Sequence, residues 1–286
     1  MRNVRQHQPV TVLVHAALIF CGIAGVFVAS AENVTKKIEI PFELRNGLIY
    51  IENVEVNGAG PFRFALDTGG QGMGRVDTSL VKKLSLEKTG EVRGSDGMSN
   101  TLVVMPLHEI QAIKIGDREW QNLTVASRDY QAGPRPLETD GILGIDMFKD
   151  CCLTLDYPSR KIILEPAKLD SNGAVKLSAD REIPQIPILV NGHEIMADID
   201  SGSMGGIALP KALADTLKFD GELKKIGEAI TISGSFDIFA GTLQGKIEIG
   251  ALQLDDPLVE VADRFQQALL GGRFLQNYVV SIDRRV

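Results

Sequence analysis

Two short runs in this chain have a composition suited to acid–base chemistry. Asp67-Thr68-Gly69 follows the apolar Phe64-Ala65-Leu66, and Asp200-Ser201-Gly202 follows Ala197-Asp198-Ile199, the second acid standing 133 positions after the first. A carboxylate that ends an apolar strand has hydrophobic residues behind it. Glycine lets backbone come close, and the hydroxyl of Thr68 or Ser201 can bond to neighbouring main chain. One such tripeptide is an ordinary turn. Two at equivalent positions of a repeat can be brought together by a pseudo-two-fold axis, and two carboxylates in contact cannot both ionise, so one keeps its proton. Such a pair can hold a water, with the ionised member as general base and the neutral one as general acid. Ser203 follows Gly202 where Gly70 follows Gly69, and the extra hydroxyl predicts that Asp200 is the more readily ionised of the two.

The elements that must position these acids are written twice in the chain. Asn57-Gly58 and Asn191-Gly192 mark tight turns at an offset of 134, so each aspartate ends the second strand of a hairpin. Val76, Leu80 and Leu84 recur as Leu209, Leu213 and Leu217, a helical spacing that predicts a short amphipathic helix after each acid, starting near Asp77 and Pro210. Ile113-Lys114-Ile115-Gly116 recurs as Ile247-Glu248-Ile249-Gly250 ahead of alternating apolar runs, Leu123 with Val125 and Leu258 with Val261. Ile142-Leu143-Gly144, with Phe148, Leu153, Leu155 and Asp156 after it, recurs as Leu269-Leu270-Gly271 with Leu275, Val280, Ile282 and Asp283. The alternation and frequent turns predict a mainly β protein with a few short helices. The polar stretch Pro166–Arg181, with Asp170-Ser171-Asn172-Gly173, is the expected connection between the copies.

These residues give the chain a resemblance to the retropepsin and pepsin clan of aspartic proteases. Each copy carries the clan's signature of an apolar strand ending in Asp-Thr/Ser-Gly, then an apolar pair and a glycine: Ile142-Leu143-Gly144 in the first and Leu269-Leu270-Gly271 in the second. The resemblance covers nearly all of the chain after Ala31. It implies a bilobal acid-protease-like fold of two related retropepsin-like lobes, residues 32–168 and 169–286. It also implies hydrolysis of a peptide or protein substrate by a water held between Asp67 and Asp200, with Thr68, Gly69, Ser201, Gly202 and Ser203 supporting the active loops. The apolar pairs would brace those loops from behind. Flaps would close over an extended peptide, and their candidates are Gly94, Ser95, Asp96 and Gly97 in one lobe and Ser233, Gly234 and Ser235 in the other. Three features depart from the pattern. Gly70 stands where many relatives have Ser or Ala, the flap candidates lack a tyrosine, and the run Gly69-Gly70-Gln71-Gly72-Met73-Gly74 predicts a loose loop. The competing expectation is the same scaffold used, without catalysis, to bind peptide or protein.

Composition removes other classes. A formal charge of −7 over 286 residues offers no basic footprint for nucleic acid. Arg2 and Arg5 ahead of the apolar run Val10–Val28 and Ala29-Ser30-Ala31 read as a signal peptide spanning residues 1–31, with an uncleaved membrane anchor through residues 10–28 as the alternative, so the protein is expected to be exported, periplasmic or secreted. After export only His108, His193, Cys151 and Cys152 remain of the histidines and cysteines, too few for a zinc site or a disulfide framework. Neither histidine stands where it would serve Ser201 as a base. No metal or cofactor is expected. Because one chain supplies both aspartates, a monomer is expected to suffice.

Overall fold

The computed structural model describes residues 10–14, 30–31, 34–94, 103–132, 136–178, 182–231 and 234–285. It is mainly β, with three short helices among the described residues, and is built as two related lobes on a shared sheet.

The tight turns form as the sequence requires. Asn57 and Gly58 take φ of 52° and 73°, and Asn191 and Gly192 take 50° and 84°, the left-handed pair that matches a two-residue turn to the twist of its strands. Asn57 Oδ1 accepts from the backbone N–H groups of Gln111 and Ala112, and Asn191 Oδ1 accepts from that of Lys246, so each turn is pinned to the next hairpin. The turns join Leu48–Val56 to Ala59–Asp67 and Gln185–Val190 to His193–Asp200, and both aspartates are the last residues of their strands.

In the first lobe the sheet runs Ser30–Ala31, Arg118–Arg128, Gly74–Asp77, Gly141–Gly144, Ala59–Asp67, Leu48–Val56, Val103–Ile115 and Lys88–Gly94, and the pairing of Arg118–Arg128 with Val103–Ile115 folds it back on itself. In the second lobe the corresponding order is Gly234–Thr242, Leu258–Ala262, Ile207–Pro210, Ala268–Gly271, His193–Asp200, Gln185–Val190 and Lys246–Ile249. Lys224–Thr231 lies beyond one end and Leu252–Asp255 beyond the other. The long strand Arg118–Arg128 is broken in the second copy into Leu252–Asp255 and Leu258–Ala262, because Pro257 has no N–H to give a ladder.

Asp77 caps the helix Thr78–Leu84, its Oδ1 accepting from Ser79 N at 2.7 Å. The helix after Pro210 is shorter than its apolar spacing predicts and spans Lys211–Ala214. Beyond it the chain tightens into three-residue turns, with Thr216 N donating to Leu213 O and Leu217 N to Ala214 O, while the Thr216 hydroxyl also bonds Leu213 O.

A six-stranded sheet joins the lobes, in the order Val175–Leu177, Val10–Val14, Val279–Asp283, Cys152–Asp156, Lys161–Glu165 and Ile38–Pro41. Its pseudo-two-fold axis is marked by a residue pair. Thr154 faces Ser281 in the antiparallel register, and their hydroxyls bond at 2.8 Å. Of the expected leader, Val10–Val14 and Ser30–Ala31 are described, as strands. Val175–Leu177 lies within the expected connection, after a turn in which Asp170 accepts from Asn172 N.

Most of the buried apolar residues of the three sheets merge into one cluster, with Phe64, Leu66 and Leu143 behind the first aspartate and Ile199 and Leu270 behind the second. Cys151 and Cys152 are buried free thiols, the first in the bend before the strand Cys152–Asp156 and the second at its start. Among the described residues no helix is long and apolar enough to cross a membrane.

Candidate active site

The loops that carry the two acids are locked across the lobes by their own hydroxyls. Thr68 Oγ1 donates to Ile199 O at 2.6 Å and accepts from Ser201 N at 2.9 Å, while Ser201 Oγ donates to Leu66 O at 2.8 Å and accepts from Thr68 N at 3.0 Å. Thr68 and Ser201 are both 0% exposed, so water does not compete for these bonds. The four bonds form a closed, near-symmetric square in which each lobe holds the other's strand end.

This lock brings the aspartates together. The Asp67 and Asp200 carboxyls hydrogen-bond to one another. A Cβ on Gly69 would fall 2.6 Å from Asp200 Cγ, and one on Gly202 would fall 2.5 Å from Asp67 Oδ1, so each glycine of the motif is the wall against which the opposite carboxyl rests. Gly70 is explained in the same way, since a Cβ there would lie 2.7 Å from Asp67 Oδ2. One residue of each apolar pair, Leu143 or Leu270, stands in the core behind the acids, while Ile142 packs in a separate cluster with Leu48, Tyr50 and Ala65. Gly141–Gly144 runs parallel to the first acid's strand with Gly144 opposite Asp67, and Ala268–Gly271 runs parallel to the second's with Gly271 opposite Asp200.

The glycine-rich loop is not loose. Gly70 N donates to Asp67 O, Gly144 N to Met73 O, Ile145 N to Gly70 O and Asp146 N to Gly72 O, which ties the loop to the strand Gly141–Gly144 and the turn after it. The second loop is tied equivalently, with Ser203 N donating to Asp200 O and Gly272 N to Ser203 O.

The surroundings of the two carboxyls are unequal, and not through Ser203. Ser203 does not turn its hydroxyl to the dyad, because its Oγ accepts from Gly205 N at 3.2 Å within its own loop. Instead Arg75, on the strand Gly74–Asp77, places Nη1 3.6 Å from Asp67 Oδ2. Burial pushes the Asp67 carboxyl up, and the Arg75 charge pulls it back. Burial also pushes Asp200 up, the charge of Asp67 adds to that, and the bond from Gly202 N to Asp200 Oδ1 at 2.8 Å offsets only part, leaving Asp200 well above the usual carboxylate range. Burial raises both carboxyls, and the Arg75 charge favours Asp67 as the member that ionises.

Of the flap candidates, Gly94 ends the hairpin strand Lys88–Gly94, which pairs with Val103–Ile115, and Gly234 and Ser235 open the strand Gly234–Thr242, which pairs with Lys224–Thr231. Ser95, Asp96, Gly97 and Ser233 lie outside the described residues. Among the described residues no group of acids, histidines or cysteines has the arrangement of a metal site.

Three features were not anticipated from the sequence. Arg75 is one, and its signal was present, because the residue at the same offset in the second copy is Ala208. Tyr130, 7% exposed, is another; burial raises its phenol, with Arg75 and Arg128 opposing. The third is a buried polar cluster two residues before the second acid. Asp198 accepts from Gln185 Nε2 at 2.8 Å and from Gln267 Nε2, and its charge acts on Asp200.

The family model described as aspartyl protease matches residues 52–147 and 186–274, one stretch in each lobe. Among solved structures, a retropepsin-like aspartic protease from Rickettsia conorii is 21% identical, covering 49% of this chain and 96% of its own, with a TM-score of 0.33. EIAV protease in complex with the inhibitor HBY-793 is 20% identical over 35% of this chain and 93% of its own, with a TM-score of 0.29. Basic 7S globulin from soybean is 12% identical over 87% of this chain and 92% of its own, with a TM-score of 0.47. No curated protein sequence matches the chain.

Proposed function

The chain belongs to the aspartyl protease family, and from that membership we propose that it is an aspartic endopeptidase working through a water held between Asp67 and Asp200. The observation that carries the proposal is the contact of two half-buried carboxyls from separate lobes, with the Arg75 charge beside only one of them.

In the proposed reaction the Asp67 carboxylate takes a proton from the water as its oxygen bonds to the scissile carbonyl carbon. Asp200 gives its proton to the carbonyl oxygen, so the tetrahedral intermediate forms without net charge on that oxygen. Asp67, now protonated, passes a proton to the departing amine nitrogen as the C–N bond breaks. The diol gives its proton back to Asp200 as the new carboxyl group forms, and the dyad returns to its starting state. No step requires a metal or cofactor. The hairpins Lys88–Gly94 with Val103–Ile115 and Lys224–Thr231 with Gly234–Thr242 would lie over an extended peptide, and their exposed apolar residues, among them Val104, Ile226 and Phe239, favour apolar side chains in that peptide. One chain supplies both acids, so we propose a monomeric enzyme, and the apolar leader supports export.

The test is digestion of a mixed peptide library between pH 3 and 8 by wild type, Asp67→Asn and Asp200→Asn. Internal cleavage that either substitution abolishes, with the fold retained, is the expected result. A folded wild type that binds peptides without cutting them would replace the enzyme by a binding module on the same scaffold.

A further inference from the structure

We propose that Arg75 is a positioning residue of the dyad, whose guanidinium fixes Asp67 as the carboxylate and Asp200 as the acid and thereby sets the acid limit of the working pH range. The inference rests on the endopeptidase reading for its catalytic consequence, but its electrostatic content stands without turnover.

Three observations carry it. First, the geometry is close and partly sheltered. Arg75 Nη1 is 3.6 Å from Asp67 Oδ2, and the two side chains are 26% and 18% exposed. Second, the arrangement is held from the backbone up. Arg75 is paired on both sides within the sheet, with Ala126 in parallel and Ile142 in antiparallel register, so its side chain starts from a fixed point beside the acid's own loop. Third, the feature is one-sided in a molecule that is otherwise built twice. The residue equivalent to Arg75 is Ala208, which faces Glu260 in the position where Arg75 faces Ala126. Ala208 carries no charge, and Glu260 is an acid that accepts from Gly206 N and from Arg273.

Two identical carboxyls sharing one proton have no preference about which of them holds it. A proton that must sit on Asp200 for each round needs a difference, and a single cation at Asp67 supplies one. The other charged and titratable groups around the pair act in the same direction or weakly. Asp198 faces Asp200 and disfavours its charge. Tyr157 lies near Asp200 with a buried phenol raised by burial and by that acid, and Tyr130 lies near both Arg75 and Asp67 with its phenol likewise raised. Arg128 stands over the Tyr130 ring, 5.6 Å from its centre.

The test combines two readouts on the full chain. Protein carrying ¹³C at aspartate side-chain carboxyls is titrated by NMR, with Asp67 and Asp200 assigned from the Asn variants, in wild type, Arg75→Met, Arg75→Gln and Arg75→Lys. The low-pH titration is expected to belong to Asp67 in wild type and to rise by about 1–2 pH units in Arg75→Met and Arg75→Gln, with Arg75→Lys retaining most of the depression. In the pH profile of kcat/KM for a cleaved peptide, the acid limb moves up by the same amount, because that limb reports the free enzyme's base.

A low-pH titration that belongs to Asp200 in wild type, or one that does not move in either neutral variant, overturns the proposal. So does a rise in KM with an unmoved acid limb, which would make Arg75 a contact for substrate. A wild type that cuts nothing would remove the enzyme reading and leave the NMR result to decide the Arg75 inference by itself.

Discussion

The hydroxyl lock between the lobes makes a quantitative claim. Thr68→Val keeps the shape of the side chain and removes the oxygen, which leaves Ile199 C=O without its 2.6 Å donor and Ser201 N–H without its 2.9 Å acceptor. Both partners lie where Thr68 and Ser201 are fully buried, so water cannot replace the lost bonds without opening the loops. Each orphaned group costs about 1–3 kcal/mol, and the pair therefore about 2–6 kcal/mol. For a chain of this size each kcal/mol lowers the thermal midpoint by roughly 2–4 °C, so calorimetry should show a fall of roughly 4–24 °C. Thr68→Ser is the control, since it keeps both bonds and loses one methyl, a change of about 1 kcal/mol. Activity should follow stability, with Thr68→Val far below Thr68→Ser, because the same bonds hold the carboxyls in register. A Thr68→Val protein as stable and as active as Thr68→Ser would refute the lock as a source of either property.

Two further outcomes follow from the site. Gly69→Ala and Gly202→Ala each drive a methyl into the opposite carboxyl, at 2.6 Å from Asp200 Cγ and 2.5 Å from Asp67 Oδ1, so peptide cleavage should fall by about 10²-fold or more, measured beside circular dichroism spectra that stay native. The raised Asp200 carboxyl has a stability signature. Its folded-state proton affinity exceeds that of the unfolded chain, where an aspartate titrates near about 3.9, so its contribution to stability is fully present below that value and is lost as pH rises through the folded titration. Asp200→Asn removes the titration, and its thermal midpoint should therefore decline less steeply than that of wild type as pH is raised above 4. An equal slope in the two proteins would count against a protonated Asp200.

Much of this molecule was legible before any coordinates, and the reason is local. A turn such as Asn57-Gly58 is written in two residues that tolerate positive φ, a strand in alternation, and a cap in Asp77, while the duplication repeats each signal so that chance coincidence is removed. The order of elements followed, and with it the conclusion that Asp67 and Asp200 end equivalent strands beside Ile142-Leu143 and Leu269-Leu270. Where local spacing met a competing interaction it misled. Leu209, Leu213 and Leu217 have helical spacing, yet the helix stops at Ala214 because the Thr216 hydroxyl and three-residue turns satisfy the carbonyls sooner.

What the tertiary structure decided was which groups share a dielectric and a field. The run of glycines after Thr68 is flexible as a peptide, but backbone bonds to Met73, Gly72 and Gly70 from the neighbouring strand and turn fix it. Ser203 could have served Asp200, but its loop turns the hydroxyl to Gly205. Arg75 lies eight positions after Asp67 along the chain, and only the insertion of Gly141–Gly144 between their strands lets it turn back onto that carboxyl. The sequence by itself determined that two carboxyls would meet; which of them is favoured to carry the charge depends on the through-space contact with Arg75, since Coulomb energy depends on distance in the folded chain and not on separation along it.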